Sequence, residues 1–318
     1  MSKNYKLAAL DIGTNSFHLI VVSVTPSGDF EIIDEAREVI RLSEGSTEET
    51  KVIKPESVKR GVEVIHRFQK IANSHGVELR AVATSAVREA NNKDEFLKTV
   101  FEKTGVKIEI INGVEEAQLI YLGILKALPI SDKYALAVDI GGGSTEFILG
   151  KGGKVELAES IKIGAVRLTQ KFFPDLILTE QRIDETRNFI RDKIAQVVDR
   201  LSNSTIEIYV GSSGTIMNVG SMIAAKRNGK LSDRHSLNKF EFSAEELFDI
   251  ENEVLNKRTA EEREEIPGLE IGRGDIIPAG VIILSIIFRM FKIDKMIIAG
   301  YALREGIILD SMDKLGIS

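Results

Sequence analysis

Apolar residues in this chain fall into short unbroken runs and longer helical stripes, in an order that repeats. Residues 7–10 and 17–24 are apolar enough for two strands, and the polar stretch Asp11-Ile12-Gly13-Thr14-Asn15-Ser16 separates them. A turn at Pro26-Ser27-Gly28 leads to a third strand over 30–40, and the polar segment 41–54 reads as a loop. Pro55 opens a helix to about Ser74, with Val58, Val62, Ile65, Phe68 and Ile71 on one face. A short strand follows at 79–83. Thr84 and Ser85 are then placed to cap the helix expected over 94–103. A strand at 106–111 and a helix opened by Asn112, running through Leu119, Leu122 and Leu125, end the cycle before Pro129.

The cycle then restarts. Leu136-Ala137-Val138-Asp139-Ile140-Gly141 echoes Ala8-Ala9-Leu10-Asp11-Ile12-Gly13, and Ser144 falls where Ser16 fell. A turn at Lys151-Gly152-Gly153 leads to a strand at 155–161, and an amphipathic helix covers about 179–201. A strand at 206–210 runs into Gly211-Ser212-Ser213-Gly214-Thr215 and a helix. An apolar helix over 275–290, a strand at 296–299 and a closing helix over 301–314 complete the second half. The fold class expected is α/β: two mixed-sheet βββαβαβα halves, domains 1–126 and 127–301, with 302–318 packing back on the first. Two similar halves are expected to flank a cleft, with a glycine-tipped hairpin of each pointing into it.

Composition narrows the function classes. A chain of 318 residues is too long for one ordinary core, and 43% apolar residues suffice for two. A net charge of -6 argues against general nucleic-acid binding. With no cysteine there is no disulfide, thiolate metal site or cysteine nucleophile. The start of the chain lacks a signal-peptide core, and the longest apolar stretch, 276–287, carries Pro278 and Ser285 and is too short for a bilayer. A soluble cytoplasmic protein that binds no membrane, monomeric or homodimeric, is expected.

The richest chemistry lies at Asp139-Ile140-Gly141-Gly142-Gly143-Ser144-Thr145-Glu146. Three glycines between two strands let consecutive N–H groups converge on an anion, and the flanking acids suit a cation that accompanies phosphate; a tight glycine-rich turn has the same local signature. The segment 211–215 runs into a helix and offers an anion site at its N-terminus, or is a strand–helix turn that needs glycine. Asn112 and Glu115 have the spacing of a capping box, which leaves Glu116 without a structural task beyond that of an acid in a first helical turn. His18, His66, His75 and His235 have no metal-ligand spacing and are read as structural or solvated. The run 261–265 reads as a solvated helix face. No P-loop and no strand-anchored dinucleotide fingerprint is present.

Paired phosphate hairpins in duplicated halves resemble the superfamily of actin, the Hsp70 ATPase domain and the sugar and acetate kinases, whose fold is actin-like and ribonuclease H-like. The chain more closely resembles the exopolyphosphatase / guanosine pentaphosphate phosphohydrolase (Ppx/GppA) family in its short, two-domain form. The resemblance rests on Asp11-Ile12-Gly13-Thr14-Asn15-Ser16-Phe17-His18, Ala83-Thr84-Ser85-Ala86-Val87-Arg88, Asn112-Gly113-Val114-Glu115-Glu116-Ala117, the 139–146 hairpin, 211–215 and Leu303-Arg304-Glu305-Gly306, all in family order.

The resemblance implies roles residue by residue. Glu116 is similar to the family's general base, and Arg88 to a phosphate-contacting arginine. Asp139 and Glu146, with Asp11 as a third candidate, would hold Mg2+ or another divalent cation. Gly13, Asn15, Ser16, Gly141, Gly142, Gly143, Ser144, Thr145, Gly211, Ser212, Ser213, Gly214 and Thr215 would bind substrate phosphates. Arg273 resembles a second family arginine, although the alanine typical before the following aspartate is Gly274 here. The implied activity is release of terminal orthophosphate from polyphosphate or guanosine pentaphosphate. The rivals are an ATP-dependent kinase or ATPase of the superfamily and a non-hydrolysing polyphosphate or alarmone sensor.

Overall fold

Each run of apolar residues long enough to be covered on both faces becomes a central strand, and each amphipathic stretch becomes a helix laid against it. The computed structural model describes residues 5–46, 50–229 and 234–317. Internal contacts divide the chain into two units, Met1–Gly123 with Leu303–Ser318, and Ile124–Ala302.

In the first unit, β1 (Lys6–Ile12), β2 (Ser16–Val24), β3 (Phe30–Val39), β4 (Leu79–Ala83) and β5 (Ile108–Ile110) form one sheet in the order β3-β2-β1-β4-β5. The β1, β2 and β3 pairings are antiparallel, whereas β4 runs parallel to β1 and to β5. Nearly every residue of β2 is buried, while β3 alternates as an edge strand should. The helices are α1 (Pro55–Ser74), α2 (Ser85–Arg88), α3 (Lys93–Thr104) and α4 (Gly113–Ala127); α4 carries the chain into the second unit. Thr84 makes no capping hydrogen bond and precedes a four-residue helix absent from the sequence reading.

The second unit repeats the plan. β6 (Ala135–Ile140), β7 (Thr145–Lys151), β8 (Lys154–Ile161) and β9 (Ile208–Ser212) stand as β1 to β4 do. Helices α5 (Ala165–Phe172), α6 (Glu180–Leu201), α7 (Ser213–Asn228), α8 (Ala244–Asn256), α9 (Ala260–Glu264) and α10 (Ile277–Phe291) surround the sheet. With β10 (Glu241–Ser243) and β11 (Lys295–Ile298), the order is β10-β11-β9-β6-β7-β8. This is the duplicated actin-like α/β plan expected from the repeat. α5, α8, α9 and β10 were not anticipated, because none carries a long apolar period; α8 is announced instead by a capping box of Ser243 and Glu246. Gly211 and Ser212 belong to β9 rather than to a loop, since they keep the parallel register opposite Val138 and Asp139.

The longest apolar stretch is α10, buried continuously from Ile277 to Phe288. It is a core helix, and among the described residues no helix is long and apolar enough to cross a membrane. The closing helix, α11 (Leu303–Leu315), packs on β1 and β2 of the first unit. Arg80 fastens it, donating to Asp310 at 2.5 Å and Ser311 at 2.9 Å.

In the second unit, the buried Glu251 of α8 accepts from Arg187 of α6 at 2.8 Å and from Arg289 of α10 at 3.1 Å. One carboxylate thus ties three helices. Both arginines reach solvent, so replacing Glu251 by Ala is expected to cost about 2 kcal/mol, read as a lower midpoint in urea unfolding, and Gln should recover part of it.

Candidate active site

At the first hairpin, Gly13 N donates to Ser16 O at 3.2 Å and closes the turn. The carbonyls are engaged from behind: Ile40 N and Arg41 N donate to Asn15 O, and Leu42 N to Thr14 O. The Thr14 hydroxyl pairs with that of Ser85 at 2.9 Å, fastening the tip to the start of α2. Asp11 lies opposite His18 in the β1–β2 register, and Ser16 Oγ lies 2.8 Å from His18 Nε2. His18 therefore belongs to this hairpin and is not a solvated residue. His75 pairs with Asp34, and the side chain of His235 lies outside the described residues. Asp11 also acts on Arg304, whose guanidinium is held by Glu305 at 2.7 Å.

The start of α4 is built as the sequence spacing predicts. Asn112 Oδ1 accepts from Val114 N and Glu115 N, and Glu115 Oε2 accepts from Asn112 N at 2.8 Å. With Glu115 so engaged, Glu116 turns inward and is only 6% exposed. Its Oε2 accepts from Arg88 Nη1 at 2.9 Å, and that same nitrogen donates to Ile111 O at 2.9 Å. Burial pushes the Glu116 carboxyl above its ordinary range, against the opposing pull of Arg88. A buried carboxylate with a raised pKa, held by one guanidinium, is equipped to accept a proton.

At the second hairpin, Gly141 N donates to Ser144 O at 2.9 Å, matching Gly13 and Ser16. The three glycine carbonyls face α5: Ala165 N donates to Gly141 O, Arg167 N to Gly142 O, and Arg167 Nε to Gly143 O at 2.7 Å. Turning those oxygens inward leaves the N–H groups of Gly142 and Gly143 without a backbone acceptor among the described residues. Gly164 permits the packing, because a Cβ there would lie 2.5 Å from the Gly142 carbonyl carbon and 2.6 Å from that of Gly143.

Asp139 and Glu146 face each other across β6 and β7 and are 8% and 1% exposed. Ser212 Oγ donates to Asp139 Oδ2 at 2.6 Å, and Ser160 Oγ to Glu146 Oε1 at 2.8 Å. Ser213 Oγ bonds to both the N–H and the carbonyl of Ile140. Ser213 anchors this hairpin at the place in the repeat where Ser85 anchors the first. The hydroxyls of Ser212 and Ser213 thus orient the hairpin. The Thr145 hydroxyl donates to Ile163 O at 2.6 Å, and Thr215 is buried against α10 at Gly280. Arg273 lies over the first turn of α7, its Nη2 filling the space a side chain on Gly214 would need. Its guanidinium is 6% exposed, lies 3.2 Å from Glu270 Oε2, and has its pKa lowered by burial to about 10.

The structure therefore joins Glu116 with Arg88 in the first unit, and Asp139 with Glu146 and Arg273 with Gly214 in the second. Gly164, Arg167 and Ser160 also shape the site and escaped the sequence reading. The only signal for them was a lone glycine between a strand and a short polar helix. The Ppx/GppA phosphatase family model matches residues 20–315. The chain belongs to the Ppx/GppA phosphatase family. A guanosine-5'-triphosphate,3'-diphosphate pyrophosphatase of Photobacterium profundum is 30% identical over 312 residues, or 97% of this chain; the chain spans 59% of that relative's length. An exopolyphosphatase from Cytophaga hutchinsonii has the same fold, with a TM-score of 0.90, 23% identity, and 99% and 100% of the two chains covered. The Aquifex aeolicus member of the Ppx/GppA family aligns with a TM-score of 0.80 at 27% identity, over 98% and 99%.

No group of three or more histidine, cysteine or acidic side chains suited to a metal occurs among the described residues. The donors at the second hairpin of this family member are two adjacent buried carboxylates, each steadied by one serine hydroxyl. Such an all-oxygen pair fits magnesium, which keeps waters and phosphate oxygens in most of its positions. It does not fit a closed structural metal cage.

Proposed function

We propose that this chain is a phosphohydrolase that releases the terminal orthophosphate of inorganic polyphosphate or guanosine pentaphosphate, with Glu116 as general base. The observation that carries the reading is the buried Glu116 carboxylate held by Arg88, with its pKa raised. In this reaction Glu116 takes a proton from water as the water oxygen bonds to the terminal phosphorus. The phosphoanhydride P–O bond breaks, and its electron pair leaves with the shortened chain. Arg88 and Arg273 offset the charge of the phosphate oxygens, and the N–H groups of Gly142 and Gly143 orient them, as do Gly13, Asn15 and Ser16 at the first hairpin. Asp139 and Glu146 would hold magnesium, which when bound neutralises phosphate charge and eases departure of the leaving phosphate.

A phosphate-release assay with magnesium tests the reading on long polyphosphate, short polyphosphate, guanosine pentaphosphate and ATP. Release from either of the first two or from the pentaphosphate, well above ATP, supports it. Preference for ATP favours the kinase or ATPase reading, and tight binding with no release favours the sensor. Ser212 gives a separate check on the metal. Its replacement by Ala frees Asp139 from its buried partner and is expected to raise the magnesium needed for half-maximal release by about tenfold.

A further inference from the structure

α9 and the loop after it are built around Arg273. Gly272 N and Gly274 N, the amides on either side of Arg273, both donate to Glu264 Oε1, at 2.8 and 3.3 Å. Gly274 O accepts from Arg263 Nη1 at 2.7 Å. The carbonyl of Arg273 itself accepts from Ile276 N and Ile277 N at the entry to α10. Arg263 is fully buried, and its other hydrogen bonds go to the carbonyls of Leu176 and Arg258. α9 is in turn fixed by Thr259, which caps Glu262 N at 3.1 Å, and by Glu262, which accepts from Arg258 N at 2.7 Å. A methyl group on Gly274 would strike the Ala260 carbonyl oxygen, so the loop is seated against α9 without clearance. The acidic run thus contains two working residues. Glu261 and Glu265 are solvated as the charge pattern predicts, but Arg263 and Glu264 point at the loop.

This construction has a physical reason. A buried guanidinium over the N-terminal turn of a 16-residue helix places two positive potentials together. Its side-chain neighbour Glu270 does not hold it firmly, because Arg273 Nε has no well-formed hydrogen bond in spite of the 3.2 Å approach. The backbone must therefore keep the side chain in place until an anion arrives.

We infer that Glu264 is a positioning residue that sets the affinity for substrate phosphate by clamping the backbone of Arg273 through the flanking amides, with Arg263 closing the clamp. The inference rests on the phosphate-binding role proposed for Arg273. The Glu264→Ala enzyme is expected to show a KM for polyphosphate raised by about tenfold with kcat within a factor of two, and Glu264→Gln, which keeps an acceptor oxygen, should restore most of the affinity. The double variant Glu264→Ala/Arg273→Ala should be no weaker than Arg273→Ala alone, because the clamp acts only through the arginine. If Arg273→Ala leaves KM unchanged, the role of Arg273 is wrong. If Arg273→Ala raises KM but Glu264→Ala does not, or if the two effects simply multiply, the clamp is wrong. Binding of inorganic tripolyphosphate, measured by calorimetry on the same variants, separates lost affinity from lost folding. A Glu264→Ala protein that melts early yet binds tripolyphosphate as wild type would also overturn it.

Discussion

Replacing Glu116 by Gln is expected to slow orthophosphate release by about 10²- to 10⁴-fold while leaving polyphosphate affinity nearly unchanged. The amide keeps the shape of the side chain and an oxygen for Arg88, but it cannot take a proton from water. A steady-state assay with a parallel binding measurement checks this, and a variant that retains full kcat removes Glu116 from the mechanism. The pH profile carries the same information with a definite sign. Only the ionised carboxylate accepts a proton, so activity is lost as pH falls through its pKa. Burial raises that pKa and Arg88 lowers it, with burial the larger effect, so the acid limb of kcat/KM lies above the ordinary glutamate range. Arg88→Ala removes the lowering contribution and should move the limb of its residual activity to still higher pH. The limb should be missing from the residual activity of Glu116→Gln.

The Gly164→Ala enzyme is expected to lose about a hundredfold in kcat/KM, although residue 164 offers no side chain to any substrate. The added methyl would sit 2.5 Å from Gly142 backbone atoms, and backbone cannot step aside as a side-chain end can. The tip would be pushed off α5, breaking the bonds that Ala165 N and Arg167 make to the glycine carbonyls. Once those carbonyls are free to rotate, the amides of Gly142 and Gly143 no longer share one direction, and misplacement by about 1 Å costs on this scale. Arg167→Ala removes only the Nε bond and should lose less. Near-wild-type activity of Gly164→Ala would show that the packing of this tip does not matter to turnover.

Local pattern was enough to place the repeat, the hairpins and the cap at Asn112, because each is decided by residues close together in the chain. Alternation and apolar runs specify strands, three glycines specify the tip, and an Asn–Glu spacing specifies the start of α4. The same spacing argument isolated Glu116, since its neighbour already had a task. Its partner was not legible: Arg88 lies 28 residues away, and only the parallel β1–β4–β5 pairing brings the end of β4 beside the start of α4. The serines of 211–215 were read as phosphate donors, because an isolated hydroxyl has no visible acceptor. Register opposite β6 gives Ser212 to Asp139 and Ser213 to Ile140. Charge pattern likewise treated Arg263 and Glu264 as surface, although the loop carrying Arg273 folds back over them.

By itself the amino-acid order determined the elements, their duplication and the family, for those depend on periodicity and on short motifs in a fixed succession along one chain. Tertiary structure decided which polar groups meet: Arg88 with Glu116, Ser212 with Asp139, Glu264 with the amides around Arg273. Hydrogen bonds act within about 3 Å. Which groups come that close is set by strand register and helix docking, and burial then fixes what each meeting does to charge.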